Sequence, residues 1–265
     1  MKVLFVTQEI TPYLPETEMS VICRHLPQGI HERGMEIRTF MPRFGCINER
    51  RNQLHEVIRL SGMNLIISDT DHPLIIKVAS IQQARMQVYF IDNEDYFSRK
   101  HTVKDDSGEI FPDSDERTIF FSRGVLETVR KLRWQPSVVH CHGWFTGLVP
   151  MYVKKAFRED PLFSKAKVVF SIYDDSFNGS FNPDFKIKAH TDGITKKDIS
   201  VLDKPNYVTL NKLAINFSDG FVVVGEKIHP DVEAHLIASN KPVIYHHPET
   251  YIQDYGEFYE KLHHQ

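Results

Sequence analysis

The sequence predicts an α/β protein built on a doubly wound parallel sheet with an antiparallel hairpin insertion. Short apolar runs, typical of strands buried on both faces, alternate with amphipathic helical segments over most of the chain. Between residues 57 and 91 the pattern changes to short apolar runs with no helical period between them, which indicates antiparallel strands. The sequence contains no internal repeat or linker, so we expect one domain over residues 1–265.

The chain opens with a predicted βαβ unit. Val3–Val6 is a continuous apolar run, and a polar loop through Pro12 follows it. The next segment has apolar residues at helical spacing, namely Met19, Ile22, Leu26 and Ile30. This helix is expected to end at Gly34, and a second strand over Ile37–Met41 is closed by Pro42.

Residues 57–91 form the predicted hairpin insertion. Its four apolar runs are separated by polar residues, glycine or proline: Val57–Ile58, Leu65–Ile67, Leu74–Val78 and Val88–Ile91. We expect the last run to lead back into the parallel sheet. After it, Lys100–Asp115 is polar and predicts an exposed loop, and Asp115–Leu132 carries an apolar stripe that predicts a helix.

The central stretch of the chain lies just after Pro136. Val138–Cys141 predicts a short buried strand, a Gly-Trp turn follows, and Thr146 stands where an N-cap would open a helix over Leu148–Phe157. In open parallel sheets, ligands bind at the carboxyl ends of the strands. We therefore expect four consecutive residues to line a crevice: His142, Gly143, Trp144 and Phe145.

The rest of the chain continues the alternation of strands and helices. Lys167–Tyr173 has the pattern of a strand, and Asp174–Ile194 predicts a loop because it contains Asn-Gly and Asn-Pro turn signals. Five further elements are then predicted. They are a helix over Tyr207–Phe217, a strand over Phe221–Val224, a helix over Glu226–Ala238, a strand over Val243–Tyr245 and a terminal helix over Gln253–Leu262.

Composition narrows the class of protein. The 265 residues are 41% apolar and 25% charged, and the net charge of −3 gives no electrostatic reason to expect a nucleic acid or an anionic membrane as partner. Three widely spaced cysteines without a Cys-x-x-Cys pair fit a reducing compartment. With no signal sequence and no apolar run near the ~20 residues that cross a bilayer, we expect a cytoplasmic protein.

The sequence predicts no phosphate-binding loop of the dinucleotide or nucleoside-triphosphate kind. Glu9–Pro12 occupies the turn after the first strand, where a Gly-x-Gly-x-x-Gly motif would stand. Gly220–Lys227 is superficially similar to a P-loop. However, Glu226 falls at the lysine position and the spacer is strand-like, which favours a strand and a turn.

Three polar features near the strand ends each have two interpretations. His140 and His142 share one face of a strand and could hold a metal, but no third ligand has a matching spacing, which favours a hydrogen-bonded core histidine and a crevice donor. Asp174 and Asp175 could act as an acid/base pair, although adjacent acids are more often loop or cap features. Trp144 could stack on a sugar or base or plug the end of the sheet.

Several short sequence segments, spread over nearly the whole chain, resemble the N-terminal half of the bacterial glycogen and starch synthases. They are Met1–Pro12, Leu26–Pro27, Arg33–Arg38, Met41–Gly45, Tyr89–Phe97, Val138–Trp144, Val169–Tyr173 and Phe221–Val224. These enzymes are two-lobed glycosyltransferases of the GT-B fold. They transfer glucose from ADP-glucose or UDP-glucose to an α-1,4-glucan in the cleft between the lobes.

The resemblance implies a fold, a set of partners and a set of site residues. In the family the N-terminal lobe mainly holds the glucan acceptor, so we expect residues 1–265 to form that lobe alone, with the C-terminal donor-binding lobe absent. The implied partners are an α-1,4-glucan, a sugar nucleotide or another protein, with no metal and no cofactor. Six residues are implied to bind substrate: Glu9, Tyr96, His142, Trp144, Tyr173 and Asp174.

The sequence departs from the family at three places that serve the donor. Pro15–Glu18 stands where the family has Lys-x-Gly-Gly, whose lysine and flexible backbone reach the donor phosphates. Gly143 replaces the acid of the family's His-x-His-Asp-Trp phrase, and Tyr173 replaces a histidine thought to contact the reacting sugar. We therefore expect no catalytic residue in this lobe.

Two hypotheses follow from these departures. In the first, the chain is a degenerate lobe, inactive alone, that binds α-1,4-glucan or has a regulatory role with a partner. In the second, it is an active glucosyltransferase completed by a second lobe on another chain. The loss of a cation, an acid and an imidazole favours the first. A third possibility, an unrelated nucleotide-dependent enzyme on the same fold, has no constellation of titratable residues to support it.

Overall fold

The computed structural model describes residues 1–264, and its centre is a ten-stranded sheet. In chain order the strands are β1 (Lys2–Thr7), β2 (Glu36–Pro42), β3 (His55–Glu56), β4 (Met63–Ile67), β5 (Thr70–Ile81), β6 (Met86–Asp92), β7 (Val138–His142), β8 (Lys167–Ile172), β9 (Gly220–Val223) and β10 (Val243–Tyr245). Their order across the sheet is β10-β9-β8-β7-β1-β2-β6-β5-β3, and β4 pairs with β5.

The seven strands from β10 to β6 in this order run parallel to one another. Strand β5 is antiparallel to β6, and both β3 and β4 are antiparallel to β5. The predicted doubly wound α/β fold with an antiparallel insertion is therefore confirmed, including the return of the chain to the parallel sheet at β6.

Eight helices connect or cover the strands in the described part of the chain. They are α1 (Glu18–Glu32), α2 (Glu94–Phe97), α3 (Ser114–Lys131), α4 (Val149–Met151), α5 (Phe185–Ala189), α6 (Tyr207–Phe217), α7 (Pro230–Ala238) and α8 (Tyr251–His263). None of the helices in residues 1–264 combines the length and the apolar composition needed to cross a bilayer.

The first βαβ unit shows why these residues fold as they do. Strand β1 is central, and Val3–Val6 is fully buried, which explains the continuous apolar run. Thr17 caps α1, since its side chain accepts from Ser20 N while Ser20 Oγ accepts from Thr17 N. The helix gives way to Gly34 at φ +87°, a left-handed conformation that glycine adopts without strain.

One predicted strand of the insertion is wrong. The apolar run Val57–Ile58 does not form a strand, and the short strand β3 lies just before it at His55–Glu56. Val57 O accepts from Leu60 N, so the chain turns at this point and leaves Ile58 75% exposed. Apolar character alone did not identify the pairing residues, because β3 is exposed on both faces.

The predicted helix after β7 is also different in the structure. Thr146 is not an N-cap, because its hydroxyl donates to Gly143 O and it lies inside a 3₁₀ turn over Trp144–Thr146. The single α turn of α4 follows, and it continues as a π-helical turn over Tyr152–Ala156. Pro150 lies at the start of α4, where its missing N–H costs no hydrogen bond.

The predicted loop over Asp174–Ile194 contains one helix. The five residues of α5 carry Phe185 and Ala189 on their buried side, and both are fully buried. Burial of these two side chains, and not helix propensity, holds so short a helix. The predicted helix from Glu226 begins later, at Pro230, where proline suits the first helical position.

Candidate functional site

The sheet reverses its winding between β1 and β7. From β1 the chain moves outward to β2 and β6 on one side, and later to β7, β8, β9 and β10 on the other. In open α/β sheets the crevice at such a reversal is the usual ligand site. In this chain the reversal lies at the carboxyl ends of β1 and β7, where Thr7 and His142 stand opposite each other in register, and we call this end of the sheet the crevice.

Backbone contacts hold the two strand ends tightly together. Gln8 N donates to His142 O at 3.3 Å, and the Gln8 side-chain oxygen accepts from Phe145 N at 3.2 Å. Gly143 has φ +83°, and a Cβ placed there would lie 2.8 Å from Met19 Cε and 2.9 Å from Gln8 Oε1. Glycine at 143 is therefore required by conformation and by space.

His142 is a neutral imidazole at the carboxyl end of β7. It is fully buried, and its Nδ1 shares a 2.9 Å hydrogen bond with the hydroxyl of Tyr173. Its Nε2 has no hydrogen-bond partner in residues 1–264. Burial lowers the pKa of His142 to about 3, with a smaller contribution from His246, so the ring carries no charge at neutral pH.

His140 lies beside His142 as a core residue. Their ring centroids are 3.9 Å apart, and His140 shares hydrogen bonds with Ser171 Oγ at 2.7 Å and with the hydroxyl of Tyr259 in α8. No group of three or more metal-ligating side chains is present in residues 1–264. The hydrogen-bonded interpretation of His140 therefore fits the structure, and the histidine pair is not part of a metal cluster there.

Asp175 follows β8 and faces the same strand ends. Its Oδ2 accepts from Trp144 N at 3.1 Å, and its Oδ1 lies 2.9 Å from the Tyr207 hydroxyl. Burial raises the pKa of Asp175 to about 7, and the charge of Glu9 adds to this rise against the lowering effect of the two hydrogen bonds.

The Tyr207 hydroxyl links Asp175 to the end of β8. The Tyr207 hydroxyl lies 3.0 Å from Tyr173 O as well as 2.9 Å from Asp175 Oδ1, but it has one hydrogen to donate. When Asp175 is protonated, its carboxyl can donate to the hydroxyl, which then donates to Tyr173 O. When Asp175 is ionised, the hydroxyl donates to one of the two oxygens at a time.

Trp144 plugs the end of the sheet in this structure. Its side chain is 1% exposed and packs on Phe177 and Phe181, with ring centroids 4.6 Å and 5.8 Å away. Both phenylalanines belong to the segment after β8. Of the two interpretations of Trp144, the packing corresponds to the plug, because no face of the indole is open to a sugar.

The N-terminus of α1 also borders the crevice, and it is surrounded by acidic groups. Glu18 lies in the first turn of α1, and Glu9 Oε2 accepts from the Thr17 hydroxyl at 2.7 Å. Neither Glu9 nor Glu18 has a lysine or arginine partner within 4 Å in residues 1–264. The positive end of the helix dipole therefore faces the chain's own carboxylates.

Four of the six predicted site residues are brought together here: Glu9, His142, Trp144 and Tyr173. Tyr96 is placed elsewhere, since its hydroxyl donates to Glu116 Oε2 at 2.9 Å and lies 3.0 Å from His72 Nε2 in a separate buried cluster. Burial raises the pKa of Tyr96. Asp174 is next to the crevice in sequence, but it is exposed and its carboxylate has no hydrogen-bond partner in the described residues.

The sequence analysis missed two members of the site, Gln8 and Tyr207, and it did not separate the role of Asp175 from that of Asp174. Gln8 and Tyr207 carry no motif, and the 32 positions between Tyr207 and Asp175 hide their contact. The adjacent acids Asp174 and Asp175 were visible, but only the fold shows that the second one turns inward.

Comparisons with known proteins agree with one another. The family model described as starch synthase catalytic domain matches residues 2–237. The glycogen synthase of Chlorobium limicola is 36% identical over 174 residues, covering 65% of this chain and 36% of that protein. The glycogen synthase of Chlorobaculum tepidum is 38% identical over 192 residues, covering 72% of this chain and 39% of that protein. The match therefore spans less than half the length of these curated relatives.

A solved structure shares the fold. The catalytic domain of starch synthase IV from Arabidopsis thaliana, bound to ADP and acarbose, superposes with a TM-score of 0.73 at 18% identity, covering 92% of this chain and 50% of that chain. At this identity the likeness establishes the fold alone.

Proposed function

This chain belongs to the starch synthase catalytic-domain family, and on that premise we propose that its crevice binds an α-1,4-glucan without a sugar nucleotide and that the lobe transfers no glucose by itself. The domain is of the glycogen and starch synthase type. One observation carries the proposal: the N-terminus of α1, a position suited to phosphate, is occupied by the chain's own acidic groups.

The balance of energies at this helix end is against a diphosphate. A helix dipole stabilises an anion by about 0.3–1 kcal/mol. Two like charges 4 Å apart near a protein surface repel by about 4 kcal/mol. With Glu18 in the first turn and Glu9 bonded to Thr17, repulsion exceeds the contribution of the dipole. Neither carboxylate has a lysine or arginine within 4 Å in residues 1–264 to offset it.

The same groups suit a neutral sugar polymer. Glucan hydroxyls donate to carboxylates and carry no charge to be repelled. Glu9 is partly buried and Asp174 is exposed, so we assign these two carboxylates to contact with glucan. His142, Trp144 and Tyr173 are buried and would support the crevice from below, whereas Tyr96 supports a neighbouring part of the fold.

Calorimetry with ADP-glucose, UDP-glucose and maltooligosaccharides tests the proposal. We expect heat of binding with maltooligosaccharides and none with either sugar nucleotide. Asp174→Asn should weaken the oligosaccharide, and Asp69→Asn, another exposed aspartate on the turn between β4 and β5, is the matched control. Binding of a sugar nucleotide, or glucose transfer by the purified chain, would refute the proposal. No heat of binding with any of the three ligands would also refute glucan binding and would indicate a protein partner.

A second candidate is an active glucosyltransferase completed by a second lobe on another chain. Two observations favour it. The family's catalytic-domain model matches residues 2–237, and the matched region covers only 36% to 39% of the length of the related glycogen synthases. Glucose transfer that appears only when a second lobe is added would support this candidate over the first.

A further inference from the structure

Strand β10 leaves one edge of the sheet unpaired. In residues 1–264 its only neighbour is β9, with Phe221 N donating to Pro242 O and His246 N donating to Val223 O, each at 2.9 Å. Because backbone groups alternate in direction along a strand, Ile244 faces β9 as well. The N–H and C=O groups of Val243 and Tyr245 therefore point away from the sheet.

Two features that commonly block pairing with another strand, an outward lysine and a proline within the strand, are missing from this three-residue edge strand. Exposed edges are commonly protected by an outward lysine, a proline within the strand or a covering element. Lys241 is turned inward, where its ammonium donates to the carbonyls of Ile215, Asn216 and Ser218 at 2.7–3.0 Å. Pro242 precedes the strand, and Tyr245 at its end is 62% exposed.

A groove of about 480 Å³ runs between this edge and α8. Its apolar part includes Val243, Ile244 and Phe258, and its rim carries charges of both signs from α8. Asp254, Glu257 and Lys261 are spaced three and four residues apart, so they lie on one face of the helix. Glu257 and Lys261 are exposed, and neither has an ion-pair partner within 4 Å in the described residues.

We propose that the β10 edge and the α8 groove form the interface of a two-fold dimer, in which β10 pairs antiparallel with the β10 of a second copy of this chain. A two-fold axis perpendicular to the sheet keeps both copies of α8 on the same side and runs them antiparallel. Lys261 of each copy then faces Glu257 and Asp254 of the other. This charge order makes the groove complementary to itself, as an isologous interface requires.

The dimer leaves the crevice open. Strands β9 and β8 separate β10 from β7, so the interface lies away from the strand ends of β1 and β7. The dimer is therefore independent of the proposed glucan binding, and either proposal can fail without the other.

Sedimentation of charge-reversed variants tests the interface. The unmodified chain should dimerise with concentration. Lys261→Glu and Glu257→Lys should each raise the dissociation constant about tenfold, because the two-fold axis applies each reversal twice. An equimolar mixture of the two variants, and the double variant K261E/E257K, should each bind more tightly than either single variant, since opposite charges face each other again between positions 257 and 261. The unchanged Asp254 keeps the dissociation constant above the original value.

The control is Glu260→Lys, a reversal at an exposed position of α8 outside the groove, which should leave the dissociation constant unchanged.

Amide exchange gives a second readout. The outward amides of Val243 and Tyr245 should be protected at high concentration and exchange on dilution. A chain that stays monomeric at about 100 µM, above the micromolar constants of weak dimers, overturns the proposal. So does a dimer that neither reversal weakens, or a mixture that binds no more tightly than either single variant.

Discussion

At the scale of single residues, the fold brings the titration of Asp175 close to neutral pH. Its carboxyl lies against Trp144 N and the Tyr207 hydroxyl, and burial raises its pKa from 3.8 to about 7. Between these two values the folded chain holds a proton that the unfolded chain releases. The contribution to stability is therefore fully present below pH 4 and is lost as the pH rises to about 7.

Asp175→Asn removes this titration and keeps the shape of the side chain. The free energy of unfolding of the variant, measured relative to the unmodified chain, should rise by roughly 3 kcal/mol between pH 4 and pH 7 and then level off. Urea unfolding of both proteins at half-unit steps of pH measures the difference. A difference that is constant across this range would show that Asp175 is ionised in the folded state.

The residues of the site could be predicted only where the chain keeps them next to a strand end. His142 and Trp144 follow from the strand pattern of β7, and the resemblance to the family adds Tyr173 at the end of β8. The inward turn of Asp175 and its contact with Tyr207 depend on how α6 packs behind β8, and neither propensity nor spacing contains that information. The same limit explains Tyr96, which fits a family phrase but bonds to Glu116.

At the scale of elements, the close contact between α1 and α8 requires glycine at position 29. A Cβ at Gly29 would lie 2.5 Å from Ile252 Cγ2, and one at Gly256 would lie 2.9 Å from Arg33 Nε. The two helices therefore approach closely because glycine stands on both sides of the contact. No periodicity in the sequence indicates this approach.

Gly29→Ala should reverse the usual effect of this substitution. In an unpacked helix, alanine in place of glycine stabilises by about 1 kcal/mol. Here the added methyl group displaces Ile252, and the free energy of unfolding should fall by about 1–2 kcal/mol. A double-mutant cycle with Ile252→Ala checks the cause. If the methyl group meets Ile252, the two changes couple by about 1 kcal/mol, whereas additive effects would contradict the contact.

Most elements with a clear apolar pattern were predicted well, whereas two short segments were not. The bounds of α6 and β10 agree with the predicted Tyr207–Phe217 and Val243–Tyr245. Helix α5 was missed because burial of Phe185 and Ala189 holds it, and the turn at Val57 was mistaken for a strand because apolar residues can also lie at the surface. Tertiary packing decides such short segments.

At the scale of the whole molecule, the fold is that of the glycogen and starch synthase family, and acidic groups lie at the start of α1. The alternation of strands and helices and the phrases shared with the family were enough to predict the doubly wound sheet, which the family match and the solved starch synthase structure support. The sequence also showed the acidic loop. What only the structure supplied is its placement, with Glu18 in the first turn of α1 and Glu9 bonded to the capping Thr17.

The most direct test of the account is to restore the loop and measure ADP binding. The variant P15K/T17G/E18G carries the family's Lys-x-Gly-Gly at the start of α1, and glycine at the cap costs the helix only a few tenths of a kcal/mol. Calorimetry should show no heat of binding for ADP with the unmodified chain. The variant should have a dissociation constant at least about tenfold below the highest ADP concentration used, a difference equivalent to about 1.4 kcal/mol. Tight binding of ADP to the unmodified chain, or a variant that binds no better, would contradict the claim that acidic groups have closed this helix end to phosphate.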